Sequence, residues 1–142
     1  MATGIAAIRQ MLIDNPEVSA VVGDRIYPDW FKQDTQMPAI CMWTISSKPF
    51  ACMDGGLGLE ASLVRLECLA RTRAEADALW LKANKALTRQ NKKGLYGGVM
   101  VQSMTQSTGS YHMADRPYDG SDKWIYRTIQ SFEIYYYLYE KA

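Results

Sequence analysis

Cysteine is scarce in this chain and odd in number: Cys41, Cys52 and Cys68 are the only three among 142 residues. None stands at C-x-x-C spacing, so neither a disulfide framework nor a thiolate zinc site is expected. Histidine is scarcer still, with His112 alone. Charge of one sign is also missing, since 16 Lys and Arg against 15 Asp and Glu leave a formal net charge of +1. A protein that binds nucleic acid by neutralising phosphates carries a clear basic excess, so DNA or RNA is not expected as the main partner. Protein surfaces become the expected one. No apolar run approaches the ~20 residues of a membrane span, and the N-terminal stretch lacks the basic flank and apolar core of a secretory signal. A cytosol-like compartment and no membrane partner are expected.

What remains is an ordinary apolar fraction of 48% with one surplus, nine Tyr and four Trp, several of the tyrosines crowded at the C-terminal end. The length reads as a single domain, 1–142, able to bury about 68% of the surface its unfolded chain exposes. Ile5, Ile8 and Leu12 recur at helical spacing and predict a helix over about 4–14, stopped at Asn15-Pro16 because a residue before proline disfavours the helical region. Pro16-Glu17 then starts a further helical turn through Val18, Val21 and Val22 that Gly23 ends. Arg25-Ile26-Tyr27-Pro28 reads as a brief extended piece. From Pro38 the period changes to two, with Ala39, Cys41, Trp43 and Ile45 on one face and Ile40, Met42, Thr44 and Ser46 on the other. Asp54-Gly55-Gly56-Leu57-Gly58 reads as a turn. Residues 60–71 alternate again, Val64, Leu66, Cys68 and Ala70 facing a core and Arg65, Glu67 and Arg71 facing water. Thr72-Arg73-Ala74-Glu75 is a capping box. Beyond it Ala76, Leu79, Trp80, Ala83, Ala86 and Leu87 form one face of the best-defined helix, which is expected to end in the cationic run before Gly94.

Two further strands are expected over about 99–109 and 124–139, joined by the segment from Tyr111 to Gly120. Fully extended, the last would span about 50 Å, beyond the usual strand. Its early part and the preceding strand are therefore predicted to form an extended β-hairpin arm with residues 111–123 near the tip. The fold class expected is α+β, a small antiparallel sheet of about four strands packed on two helices, with that arm. One face of the last strand holds Trp124, Tyr126, Phe132, Ile134, Tyr136 and Leu138, and the other Ile125, Ile129, Tyr135, Tyr137 and Tyr139. Helices can shield only one face of such a sheet, which leaves an aromatic surface for another copy or a different protein. A curved sheet whose tyrosines merely line a half-exposed face fits the same pattern.

Residues that could carry chemistry are few. His112 lies near Asp115 and Arg116, but no nucleophile motif accompanies it. His112 with Asp115, Asp119 and Asp122 matches no metal-ligand spacing. The glycine-rich segment at 54–58 lacks both the Lys-Ser/Thr of a P-loop and the dinucleotide fingerprint. No catalytic residue, cofactor or metal is assigned. The expected subunit or partner interface consists of Tyr111, His112, Asp115, Arg116, Tyr118, Asp119, Trp124, Tyr135, Tyr137 and Tyr139.

The order of these elements resembles a family, the tail-terminator or tail-completion proteins of long-tailed bacteriophages. Asp14-Asn15-Pro16 followed by Val21-Val22-Gly23-Asp24-Arg25-Ile26-Tyr27-Pro28 is similar to the family's opening helix, glycine stop and first strand. Met37-Pro38-Ala39-Ile40 resembles its proline-started second strand. Arg65 to Ala70, with Thr72 and Glu75-Ala76, resembles the third strand running into the long helix. The resemblance implies a non-enzymatic virion protein of the tail or neck, assembled in the host cytoplasm. It implies a homo-oligomer, a hexameric ring at the head-proximal end of the tail that terminates tail-tube polymerisation. Its partners would be the tail tube protein and the head-tail connector or stopper protein, with DNA only as cargo through the channel. Other readings stay open: a head-completion or stopper subunit of the neck, a dimer using its tyrosine-rich edge, or a small hydrolase using His112.

Overall fold

A computed structural model of the chain describes residues 3–29, 35–52, 55–88, 93–107, 109–117 and 123–137. The order of elements is α1 (Gly4–Asp14), α2 (Pro16–Val22), β1 (Ile26–Pro28), β2 (Ala39–Cys52), β3 (Gly55–Ala70), α3 (Arg73–Thr88), β4 (Gly94–Tyr96), β5 (Val99–Gln106), β6 (Tyr111–Asp115) and β7 (Ile125–Tyr137).

Local chemistry explains where the helices begin and stop. Asn15 ends α1 and caps α2, its side-chain oxygen accepting from the amides of Glu17 at 3.0 Å and Val18 at 3.2 Å. Pro16 occupies the first helical position, where a missing N–H costs nothing. Gly23 closes α2 with φ +59°, its amide donating to the Ser19 carbonyl at 2.8 Å. Arg25 then fixes the exit, donating from Nε to the Pro38 carbonyl and from a terminal nitrogen to the Val21 carbonyl, both at 3.0 Å. At α3 the Glu75 amide donates to the Thr72 hydroxyl at 3.2 Å, half of the expected capping box.

The strands form one curled sheet in the order β1-β2-β3-β7-β5-β4, with β6 also paired to β7. β1 runs parallel to β2, and every other ladder is antiparallel. This corrects the expected four-strand antiparallel sheet on two helices: there are seven strands, one parallel pair and three helices among the described residues. β1 and β4 have three residues each, and β6 five. Runs so short carry almost no periodicity to read.

The arm is corrected as well. β7 is flanked by β3 from Leu59↔Tyr137 to Ala70↔Tyr126. Its other side is taken first by β5, from Met100↔Tyr137 to Gln106↔Phe132, and then by β6, from Tyr111↔Ile129 to Asp115↔Ile125. The last strand is long because it is the central strand of the sheet. Tyr111–Asp115, expected in a loop, is strand. The reach of the sheet belongs instead to β2 and β3, paired as far as Cys52↔Gly55. Gly55, Gly56 and Leu57, expected in a turn, are therefore strand.

The core lies between one sheet face and the helices. Ile8 and Leu12 of α1, Val18 and Val22 of α2, and Leu79, Ala83 and Leu87 of α3 meet Ile40, Met42, Val64, Leu66, Cys68, Phe132 and Ile134 of the sheet. Burying each large aliphatic side chain contributes about 1.5–3 kcal/mol. Tyr136 places its hydroxyl 2.9 Å from that of Ser62, which lies 2.9 Å from that of Ser47. Three strands are thus tied by one hydrogen-bonded chain that runs from buried Tyr136 and Ser62 out to exposed Ser47.

Candidate interface on the open face of the sheet

Side chains alternate across the sheet, so the residues that do not meet the helices share the opposite face. β2 contributes Cys41, Trp43 and Ile45, β3 contributes Arg65 and Glu67, β6 contributes Tyr111, Met113 and Asp115, and β7 contributes Arg127, Tyr135 and Tyr137. The expectation that β3 would turn a wet face to this side fails at Glu67, whose side chain is 1% exposed. Ala39, Cys41, Leu69 and Ile129 are buried on the same side.

Glu67 is held by two arginines. A terminal nitrogen of Arg127 lies 3.2 Å from each carboxylate oxygen, and Arg65 reaches Oε1 at 3.3 Å. Arg127 also donates from Nε to Asp115 Oδ2 at 2.7 Å and makes a second, closer contact to the same oxygen. Burial disfavours the Arg127 cation, but Glu67 and Asp115 outweigh that cost and raise its pKa above the ordinary arginine value. The guanidinium of Arg65 lies 5.8 Å from the ring centroids of both Trp43 and Tyr111, with Met113 Sδ 4.0 Å from one of its nitrogens. Such cation–π contacts fix a long side chain that would otherwise be mobile. The Cys41 thiol is pushed up to about 11, first by burial and then by the nearby Glu67 carboxylate. Burial, then Glu67, also raises Cys68 on the helix side.

Around this centre stand exposed apolar side chains. Ile45 is 52% exposed, and Tyr111 and Met113 are 45% exposed each. Trp43, Ile45, Arg65, Glu67 and Arg127 line an open depression rather than an enclosed cleft. Tyr135 donates to Glu133 two residues earlier on its strand, and this bond raises its pKa.

The expected interface residues separate in space. Tyr111, Asp115, Tyr135 and Tyr137 all lie on the open face, but Tyr111 and Asp115 stand level with Ile129 and Ile125, whereas Tyr135 and Tyr137 lie toward the other end of β7. His112 points the other way, placing Nε2 3.1 Å from Asp77 Oδ1 on α3. The same carboxylate oxygen accepts from the Thr128 hydroxyl at 2.6 Å. Asp77 therefore sits between hydroxyl and imidazole, whereas a nucleophilic site needs the imidazole beside the hydroxyl. Arg73 completes the attachment, donating to the carbonyls of Arg127 at 2.9 Å and Met113 at 2.8 Å, and lying 5.4 Å from the Tyr126 ring centroid. Trp124 is half-buried, its carbonyl accepting from Arg71 at 3.4 Å. Arg116 is exposed. Tyr118, Asp119 and Tyr139 lie outside the described residues. Sequence reasoning missed Trp43, Ile45, Arg65, Glu67, Met113 and Arg127. Glu67 alternating with Arg65 inside an apolar strand was a legible signal, because a charge there needs a partner.

The build is that of an α+β domain with helices covering one sheet face and the other left half open. Residues 6–124 match the family described as "Tail completion protein gp17", and the chain belongs to that family. It is accordingly a structural protein of the phage tail. Among solved structures, a chain from "Virion of native gene transfer agent (GTA) particle" shares its fold, with a TM-score of 0.69 and 14% identity over 94% of both chains. No curated protein matches the sequence.

Proposed function

We propose that the protein forms a ring at the head-proximal end of a long phage tail, stops the tail tube from growing, and joins the tail to the head connector. Family membership gives the setting, and the likeness to a chain from a gene transfer agent virion fits a particle component. The observation that carries the reading is the open sheet face. Exposed Ile45, Tyr111 and Met113 surround an internally paired Arg65–Glu67–Arg127–Asp115 network. An open, preorganised patch of aromatic and aliphatic groups suits burial against protein, and no catalytic residue is needed. Tyr111 and Asp115 serve this contact from the patch, Tyr135 and Tyr137 extend the same face toward the other end of β7, and Tyr118, Asp119 and Tyr139 are further candidates. His112 acts indirectly, by holding β6 against α3. Deleting residues 112–122, attractive for a projecting arm, would instead remove most of a strand of the sheet.

Infection with a phage lacking the gene, complemented by Ile45→Arg, tests the reading. Overlong tails that carry no heads are expected, with the variant protein folded. Tails of normal length that fail only to join heads would move the protein to the stopper position. Fully infectious particles would sink the assignment of this face.

A further inference from the structure

Arg65 is the member of the open-face network least served by its own chain. Its Nη2 reaches Glu67 Oε1 at 3.3 Å and Met113 Sδ at 4.0 Å, whereas a charge-assisted bond is ordinarily about 2.7–2.9 Å. Its Nε is closed off from solvent without a hydrogen-bond partner among the described residues. Nη1 has no partner among them either. Glu67 does not fill the need, because Arg127 takes both of its oxygens at 3.2 Å and holds Asp115 as well. The rings of Trp43 and Tyr111, each centred 5.8 Å from the guanidinium carbon, keep Arg65 in place in the open depression. Its side chain is 33% exposed, so water still reaches part of it.

We infer that a different virion protein docks here and sets an Asp or Glu carboxylate on Arg65, inside a rim made by Ile45, Tyr111 and Met113. The contact presupposes the open-face role proposed above and adds the chemistry of the partner. A protein that covers those exposed side chains also takes the remaining water from Arg65. A guanidinium left with one long contact and a sealed, unpaired Nε would oppose binding unless the partner brought an acceptor. A carboxylate offers two oxygens and the opposite charge in the plane a guanidinium fits. Two arginines against two carboxylates leave the network neutral as a whole, so the acceptor acts after contact, by slowing departure, and not by drawing the partner in. A second copy docked face to face on this patch would bring Arg65 toward its own counterpart across the two-fold axis, like charge toward like. Phosphate is the other oxyanion an arginine takes, but the aliphatic and aromatic rim suits a protein surface better than a sugar-phosphate backbone.

Arg65→Lys keeps the charge and introduces an amine that a carbodiimide condenses with a carboxylate resting on it, the amide forming as the reagent takes up water. Tails completed with this variant are purified, treated with the carbodiimide, digested and read by mass spectrometry. A cross-linked peptide joining position 65 to an Asp or Glu of a different virion protein is expected, with none at that position from unsubstituted tails. Arg65→Gln, its fold checked by urea unfolding, should complete tails at least about tenfold less often. The unsubstituted protein gives an independent readout: p-hydroxyphenylglyoxal should label Arg65 in the free protein and spare it in tails. Protection of Arg65 in tails with a cross-link only to Glu67 or to another copy, or with no cross-link, overturns the carboxylate contact and leaves the open face as a docking surface. Protection that nuclease treatment removes places DNA there and overturns it likewise. A folded Arg65→Lys protein that stays out of tails also overturns it, since charge is then not what the partner reads. Equal labelling of Arg65 in free protein and in tails overturns the contact and the open-face reading together.

Discussion

Replacing Arg127 by Met tests whether the open face is organised by a dry ion network. Glu67 is 1% exposed and receives two of its three short contacts from Arg127, while Arg65 supplies the third at 3.3 Å. Removing Arg127 leaves a carboxylate out of water with a single partner, and breaking a buried pair in this way costs about 3–5 kcal/mol. For a chain of this length, between the ranges for smaller and larger domains, each kcal/mol moves the melting temperature by roughly 3–5 °C. A fall of roughly 10–20 °C is expected. Glu67→Leu should cost less, about 1–3 kcal/mol, because Arg127 keeps Asp115 and is 19% exposed. The double variant Glu67→Leu/Arg127→Met should return to within about 2 kcal/mol of the parent, since well-packed apolar replacements of a buried pair are often neutral. Urea unfolding followed by tryptophan fluorescence gives all three values and their coupling. A loss below about 1 kcal/mol for Arg127→Met, or a double variant as unstable as the sum of its parts, refutes the reasoning.

Thr72→Ala removes the hydroxyl that accepts from the Glu75 amide and should cost about 1 kcal/mol by urea unfolding. Gly97→Ala should cost more, about 1–3 kcal/mol, because Gly97 has φ +55° in the two-residue turn between β4 and β5, and a Cβ there would stand 2.9 Å from the Ala6 carbonyl oxygen. Cys41 should resist iodoacetamide at pH 8 in the native protein and react readily in urea, since burial holds its thiol protonated. The linked stability follows in sign: with a raised folded pKa, the unfolded state loses the proton first, so stability should hold below about pH 9 and decline between about 9 and 11, read as a falling urea midpoint. Ile45→Arg, at a side chain 52% exposed, should change stability by less than about 0.5 kcal/mol while abolishing tail completion.

The helices were legible because their signals are local. Asn15-Pro16, Gly23 and Thr72 to Glu75 mark ends by hydrogen bonds within a few residues, and the apolar face of α3 repeats over 16 residues. The long strands were legible by period two, including which residues of β7 face the helices. What escaped depends on pairing between distant segments. Tyr111–Asp115 has loop-like composition and becomes strand because β7 offers an edge and Arg73 and Asp77 hold it from α3. Glu67 reads as solvent-facing until Arg127, 60 residues later in sequence, is brought beside it. The site was half legible for the same reason. Tyrosine content pointed to β7, whose Tyr135 and Tyr137 lie on the open face, but the arginines that organise that face lie in two strands whose neighbours the sequence does not announce.

The neutral pairing on the open face also bears on how fast assembly proceeds. Arg65 and Arg127 have Glu67 and Asp115 within their own subunit, so a partner arriving there meets little long-range field. Encounter would be unsteered, with association rate constants near the roughly 10⁵–10⁶ M⁻¹s⁻¹ of neutral surfaces rather than the far higher values that opposed charges permit. Raising ionic strength would then barely slow it. If the protein seals the tail tube as proposed, its arrival at a finished tube would be timed by how many copies are free in the cell, and a growing tube that binds its own subunits faster would be sealed only once its growth had stalled.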